Sequence, residues 1–161
     1  MKTKVVAFDV YGTILASDDY DCTCRPRRGF VEFAKKCKSE GRTIVTASDN
    51  YIDDLERDLR STFIHLEDIC SPNELDGFDI SKIFDNKIRL VDTPKEFGVI
   101  VEHYGVKPEE VYVIGDRQDK DIDGAILAGC EYFHVPEYRI KDFDGKFLPQ
   151  DTFDFRNIVL D

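Results

Sequence analysis

Nothing in this 161-residue chain approaches the run of roughly 20 apolar residues that a membrane-spanning helix needs. Basic residues are also scarce: 22 against 33 acidic ones, a formal net charge of -11. The first lack leaves no candidate for a membrane-spanning helix among these residues. The second removes the positive footprint that a nucleic-acid backbone requires, and it disfavours an anionic membrane surface. A small phosphorylated ligand remains open, provided a metal offsets its charge locally. Metal-binding cysteine pairs are scarce too. Of five cysteines, only Cys22 and Cys24 stand close together. Cys37, Cys70 and Cys130 fall singly, so no second pair completes the four ligands of a structural zinc site. Cys37 and Cys130 lie in apolar patterns, as buried thiols do. His65, His103 and His134 are scattered and read as structural. The start MKTKVVAFDV has too short an apolar part for a cleaved leader and runs directly into a strand. A reducing, cytoplasmic compartment is the expectation. No repeat or low-complexity stretch divides the chain, so residues 1–161 read as a single domain with one core.

What is present is an alternation of short apolar runs and longer amphipathic ones. Residues 4–8, 43–46, 87–91, 111–114 and 132–135 read as strands. Helices are expected over 28–40, where Phe30, Phe33, Ala34 and Cys37 share a face and Gly41 stops the run, and over 51–60. A third is expected from Thr93-Pro94-Lys95-Glu96, with Thr93 capping, to about 104. A fourth covers 121–128. The tail carries Phe143, Phe147, Phe153 and Phe155, expected to pack on the body. Strands separated by helices imply βαβ units and hence a three-layer α/β/α sandwich around a central parallel sheet. Ligands of such sheets bind beyond the carboxyl ends of the strands. Asp9, Thr46 and Asp116 are the polar residues that stand there.

Asp9 ends an apolar strand, and GDRQDKD (115–121) adds Asp116, Asp119 and Asp121. Carboxylates gathered in a small volume repel one another and lose hydration. A divalent cation relieves both costs, and Mg²⁺ takes oxygen ligands of this kind, as does Mn²⁺. Asp9 is the candidate nucleophile for aspartyl-phosphate chemistry. Lys95 is the candidate cation to balance the site, with Lys87 as the alternative. The Thr46 hydroxyl suits a phosphate oxygen, with Ser48 as the fallback. Arg25, Arg27 and Arg28 form a small basic group that would meet a substrate anion or offset the acidic surroundings.

These stretches resemble the haloacid-dehalogenase superfamily. FDVYGTIL is similar to its first motif, with Asp9 as nucleophile, and TIVTAS to its second, with Thr46 binding phosphate. TPKE is similar to the third, through Lys95, and IGDRQDKDIDGAILAG to the acidic fourth. The resemblance spans residues 4–135. It implies a Rossmann-like fold and a Mg²⁺-dependent phosphomonoester hydrolase working through a phospho-aspartate. The metal would be held by the Asp9 carboxylate, the Tyr11 backbone carbonyl and Asp116, with Asp121 and Asp119 assisting indirectly. Tyr11 departs from the phosphatase pattern, which has an aspartate two residues after the nucleophile. Phenol is a poor base at neutral pH. Tyrosine there resembles the 2-haloacid dehalogenases, which lack the acidic fourth motif. A phosphatase with altered acid/base equipment, a metal- and phosphate-binding regulatory domain of little turnover, and a dehalogenase are the three readings. The spans after motif one and between motifs two and three are too short for a sizeable cap. A capless site stands open to a phosphoprotein, or to a phosphorylated small molecule enclosed by a second copy of the chain in a homo-oligomer.

Overall fold

Val5–Phe8 (β1) has four apolar residues in succession, all buried, as a strand covered on both faces requires. A computed structural model describes residues 1–19, 26–66 and 80–161 of the chain, with 61–66 described by their helical backbone alone. In it β1 pairs in parallel with Thr43–Ser48 (β2) on one side and Val111–Gly115 (β4) on the other. Asn86–Arg89 (β3) lies outside β2, and Glu131–His134 (β5) outside β4. The sheet is parallel throughout, in the order β3-β2-β1-β4-β5.

Alternate residues of each strand feed opposite cores. Val6 and Phe8 join Phe30, Phe33, Leu55 and Phe155 in the layer under helices Phe30–Ser39 (α1) and Ile52–Leu66 (α2). Val5 and Ala7 join Phe97, Ile100, Val113 and Ala125 under Gly98–Tyr104 (α3) and Asp123–Ala128 (α4). The result is the expected α/β/α sandwich. The described residues hold no inserted cap, and no helix among them is long and apolar enough to cross a membrane.

Several boundaries differ from expectation. α2 runs on to Leu66 instead of ending near residue 60. α3 does not begin at Thr93. The Thr93–Pro94 peptide is cis, and the Lys95 N–H bonds to the Lys120 carbonyl at 3.0 Å. A tertiary contact therefore claims the backbone group that a first helical turn would have used, and no side chain caps α3. The tail divides. Phe153 and Phe155 pack against the α1/α2 core, while Phe143 and Phe147 stand in solvent beneath Arg139 and Lys141. Cys37 and Cys130 are buried free thiols, and burial raises both to about 11. Cys22, Cys24, Arg25 and Cys70, the His65 side chain, and any zinc site on the cysteine pair lie outside the described residues. Arg27 faces no open site. It is buried, bonded to Asp151 through Nε and Nη2, and held against the rings of Tyr138 and Phe153.

Candidate active site

The strand order places β1 between β2 and β4, where the chain's crossovers change direction. That is the topological switch point at which such sheets open a crevice beyond the carboxyl ends. Asp9 continues the ladder one residue past β1, its N–H donating to the Ile114 carbonyl at 2.9 Å. The chain then turns at once: the N–H groups of Thr13, Ile14 and Leu15 all donate to the Val10 carbonyl. Gly12 makes this turn with φ 84°, and a Cβ there would lie 2.5 Å from Asp116 Oδ2. Only glycine satisfies both constraints.

Four side chains from distant parts of the sequence meet in the crevice. Lys95 Nζ donates to Asp9 Oδ1 at 3.0 Å and to Asp121 Oδ1 at 2.6 Å. Asp121 is fully buried, and its second oxygen accepts the Arg117 N–H at 3.1 Å. Oxygens of Asp9, Asp116 and Asp121 lie within 4.8 Å of one another. Thr13 joins them unforeseen. Its buried hydroxyl stands 3.1 Å from Asp9 Oδ2 and 3.1 Å from Asp116 Oδ1. One hydroxyl hydrogen serves one acceptor at a time, so a further proton or cation is needed between these carboxylates. His134 closes the rim. Its Nε2 lies 2.9 Å from the Asp116 carbonyl, which can only accept, so that nitrogen carries the proton.

The electrostatics tell the same story. Burial pushes Asp9 up to about 7, with Lys95 pulling against it. Asp121 is raised to about 6 by burial and by the Asp9 charge. Burial raises Asp116 as well. Burial draws Lys95 down, but Asp9 and Asp121 outweigh it and keep its ammonium charged. Three carboxylates against one ammonium leave the site two positive charges short. The donors are all oxygens, as a hard divalent cation prefers. The residues fit such an ion.

Other expected members take different places. The Thr46 hydroxyl is committed within the sheet: it accepts the Ile88 N–H at 3.1 Å and contacts the Ile88 carbonyl at 3.3 Å. Ser48, the last residue of β2, is the hydroxyl at the strand end. Asp119 is not in the cluster but on the surface, paired with Arg117 at 2.7 Å. Lys87 pairs with Glu56 of α2, which leaves Lys95 as the lysine of the site. Tyr11 packs against the α1/α2 core, and its hydroxyl donates to Asp58 of α2.

Residues 93–137 match the HAD-hydrolase-like family model. A 53-residue stretch is 40% identical to a glyceraldehyde 3-phosphate phosphatase from Methanopyrus kandleri, covering 33% of this chain and 23% of that protein. The chain thus spans about a quarter of the length of this curated relative. Its fold is similar to that of a predicted phosphoglycolate phosphatase from Haemophilus somnus 129PT, with a TM-score of 0.63 and 15% identity over 86% of this chain and 88% of that one. It is also similar to a D,D-heptose 1,7-bisphosphate phosphatase from B. bronchiseptica, solved with magnesium and phosphate (TM-score 0.58, 17% identity, 83% and 80% covered).

The family match covers the C-terminal part of the sheet, and the structural likeness extends the same fold over most of the chain. The matched segment contains Lys95, Asp116 and Asp121, three of the four charged residues of the crevice. The turn after Asp9 and the GDRQDKD turn meet across the paired strands β1 and β4. Thr13 was legible in principle as the hydroxyl of the Gly-Thr pair after Asp9, but nothing in the sequence says which way it points.

Proposed function

We propose that this protein is a Mg²⁺-dependent phosphomonoester hydrolase that works through a phospho-aspartate on Asp9. One observation carries the reading: Asp9, at the end of the central strand, shares its crevice with Asp116, Asp121 and Lys95. Asp9, the Tyr11 carbonyl and Asp116 would hold the ion, with Asp121 supporting from behind. When bound, the ion supplies charge that neutralises phosphate oxygens and leaves the phosphorus open to attack. Lys95 and Thr13 fix the rotation of the Asp9 carboxylate from its two oxygens. Lys95 and the Ser48 hydroxyl face the non-bridging oxygens of the bound phosphoryl group. Asp9 forms a bond to phosphorus as the ester oxygen leaves with a proton from solvent. Water then attacks the phospho-aspartate, releasing inorganic phosphate and restoring Asp9. The substrate class is a phosphorylated small molecule.

The Tyr11–Asp58 contact shapes the second step. The side chain two residues after the nucleophile is turned to α2, so no carboxylate there activates the attacking water. The reading therefore includes slow hydrolysis of the phospho-enzyme. A set of phosphomonoesters assayed for phosphate release, with Mg²⁺ and with chelator, tests it. Release that needs Mg²⁺ and is lost in Asp9→Asn by about 10³-fold or more is expected. Halide release from 2-haloacids without metal, and no phosphate release from any ester, would overturn it.

A further inference from the structure

At the carboxyl edge of the sheet, Arg89 pairs in register with Ser48. Two contacts fix its guanidinium: Nε donates to the Asp49 carbonyl at 3.0 Å, and the group stands 4.2 Å over the exposed ring of Tyr51. Both partners belong to the turn that leaves Ser48. Asp49 is itself tied through its carboxylate to Lys120, in the turn that carries Asp121. The platform is therefore coupled to both sides of the crevice.

What Arg89 lacks is a carboxylate. Arg27, Arg42, Arg57, Arg117, Arg139 and Arg156 each face one. Among the described residues none lies within ion-pair distance of Arg89, in a chain with 33 acidic residues. Two acids of the adjoining turn and helix are already used, Asp49 by Lys120 and Glu56 by Lys87. The two terminal nitrogens of Arg89 are thus held in place and open. Guanidinium offers paired donors that match a carboxylate or phosphate. Lateral distance is short: β3 stands two strand spacings, about 10 Å, from β1, and the arginine side chain spans part of it.

We propose that Arg89, set by Tyr51 and the Asp49 carbonyl, is a subsite for a second anionic group of the substrate. The substrate class is then a short organic phosphomonoester carrying a carboxylate or a second phosphate a few bonds away. This rests on the phosphatase reading for the first phosphate. The phosphoryl group lies over Asp9, and the far anion meets the guanidinium with two hydrogen bonds.

Non-hydrolysable phosphonates test the subsite without turnover. Propylphosphonate, 3-phosphonopropanoate and propane-1,3-diphosphonate are titrated calorimetrically into the wild-type protein with Mg²⁺. One or both doubly anionic ligands should bind about tenfold tighter than propylphosphonate, the size of a charge-assisted hydrogen bond. Which of them does so assigns a carboxylate or a phosphate. Arg89→Gln should bring that ratio near one, and Arg89→Lys should keep part of it. Lys36→Gln removes one positive charge from an exposed position in the last turn of α1 and should keep the ratio. Equal affinities in the wild type, a ratio that survives Arg89→Gln, or a ratio lost equally in Lys36→Gln would each overturn the subsite. Binding of none of the three would overturn the phosphatase reading, and the subsite with it.

Discussion

Two hydroxyls decide how the carboxylates of the crevice behave. Thr13 bridges Asp9 and Asp116 at 3.1 Å each, in a place where a methyl group would fit but not bond. Thr13→Val should keep the fold and lower phosphate release by about 10- to 100-fold, the usual cost of losing a partner that orients a ligand. Thr13→Ser should restore most of it, as steady-state assays with Mg²⁺ can show. The second hydroxyl, on Tyr11, is spent on Asp58. If slow water attack limits turnover, Tyr11→Asp combined with Asp58→Asn supplies the absent carboxylate without setting two acids together. The phospho-enzyme should then decay about 10²- to 10⁴-fold faster, the range of general acid–base catalysis, read by rapid quench. Decay no faster than in the wild type would show that Tyr11 is not the limiting feature. The meeting of Asp9 and Asp116 was legible in the sequence because each directly follows an apolar run that strand periodicity places in the sheet, whereas Lys95 was expected at the head of a helix that begins only at Gly98. The direction of Thr46 was not. Its hydroxyl bonds to a backbone two strands from Asp9, and that depends on sheet register.

At the scale of elements, the crevice depends on helices approaching the loop of Lys95 closely. α4 begins after the π-helical turn Gln118–Ile122, and its Gly124 abuts that loop. A Cβ on Gly124 would lie 2.4 Å from the Lys95 carbonyl oxygen. Gly124→Ala is the better helix former by propensity, yet here it must push α4 or the Lys95 loop outward. A loss of about 1–3 kcal/mol of stability is expected from such overpacking, measured by denaturant titration. Activity should fall as well, because Lys95 moves from Asp9. A stabilised variant with full activity would mean that the loop yields without cost. The same contact explains the misplaced start of α3. Thr93-Pro94-Lys95-Glu96 has every local feature of a helix N-terminus, but the Lys95 N–H is claimed by Lys120. Local signals cannot reveal a bond to a residue so far along the chain. Strand positions were legible where burial on both faces made the run continuous, as in β1. Element ends were less so, because they depend on such contacts.

Over the whole molecule, the crevice adds carboxylates to a chain that is already strongly acidic, and the sheet holds them there in low dielectric. Asp9 and Asp121, at about 7 and about 6 in the folded chain, stand above the ordinary aspartate value. Between that value and their folded values, the native state binds more protons than the unfolded one. Metal-free stability from these two groups is therefore greatest at low pH within this window and is lost as pH rises through about 6 to 7. A divalent cation acts in the opposite sense, since it needs the carboxylates deprotonated. Its affinity should fall about tenfold between pH 8 and pH 6, as one proton comes to compete at Asp9. At a concentration 100 times Kd it stabilises the fold by about 2.7 kcal/mol, or roughly 5–10 °C in a chain of this size. Melting curves with Mg²⁺, against a monovalent salt of equal ionic strength, should show that increment at pH 8 and a smaller one at pH 5.5. Asp116→Asn should abolish it at both. An increment that is the same at the two pH values, or that survives in Asp116→Asn, would place the cation elsewhere on the acidic surface and leave the crevice without its counter-charge.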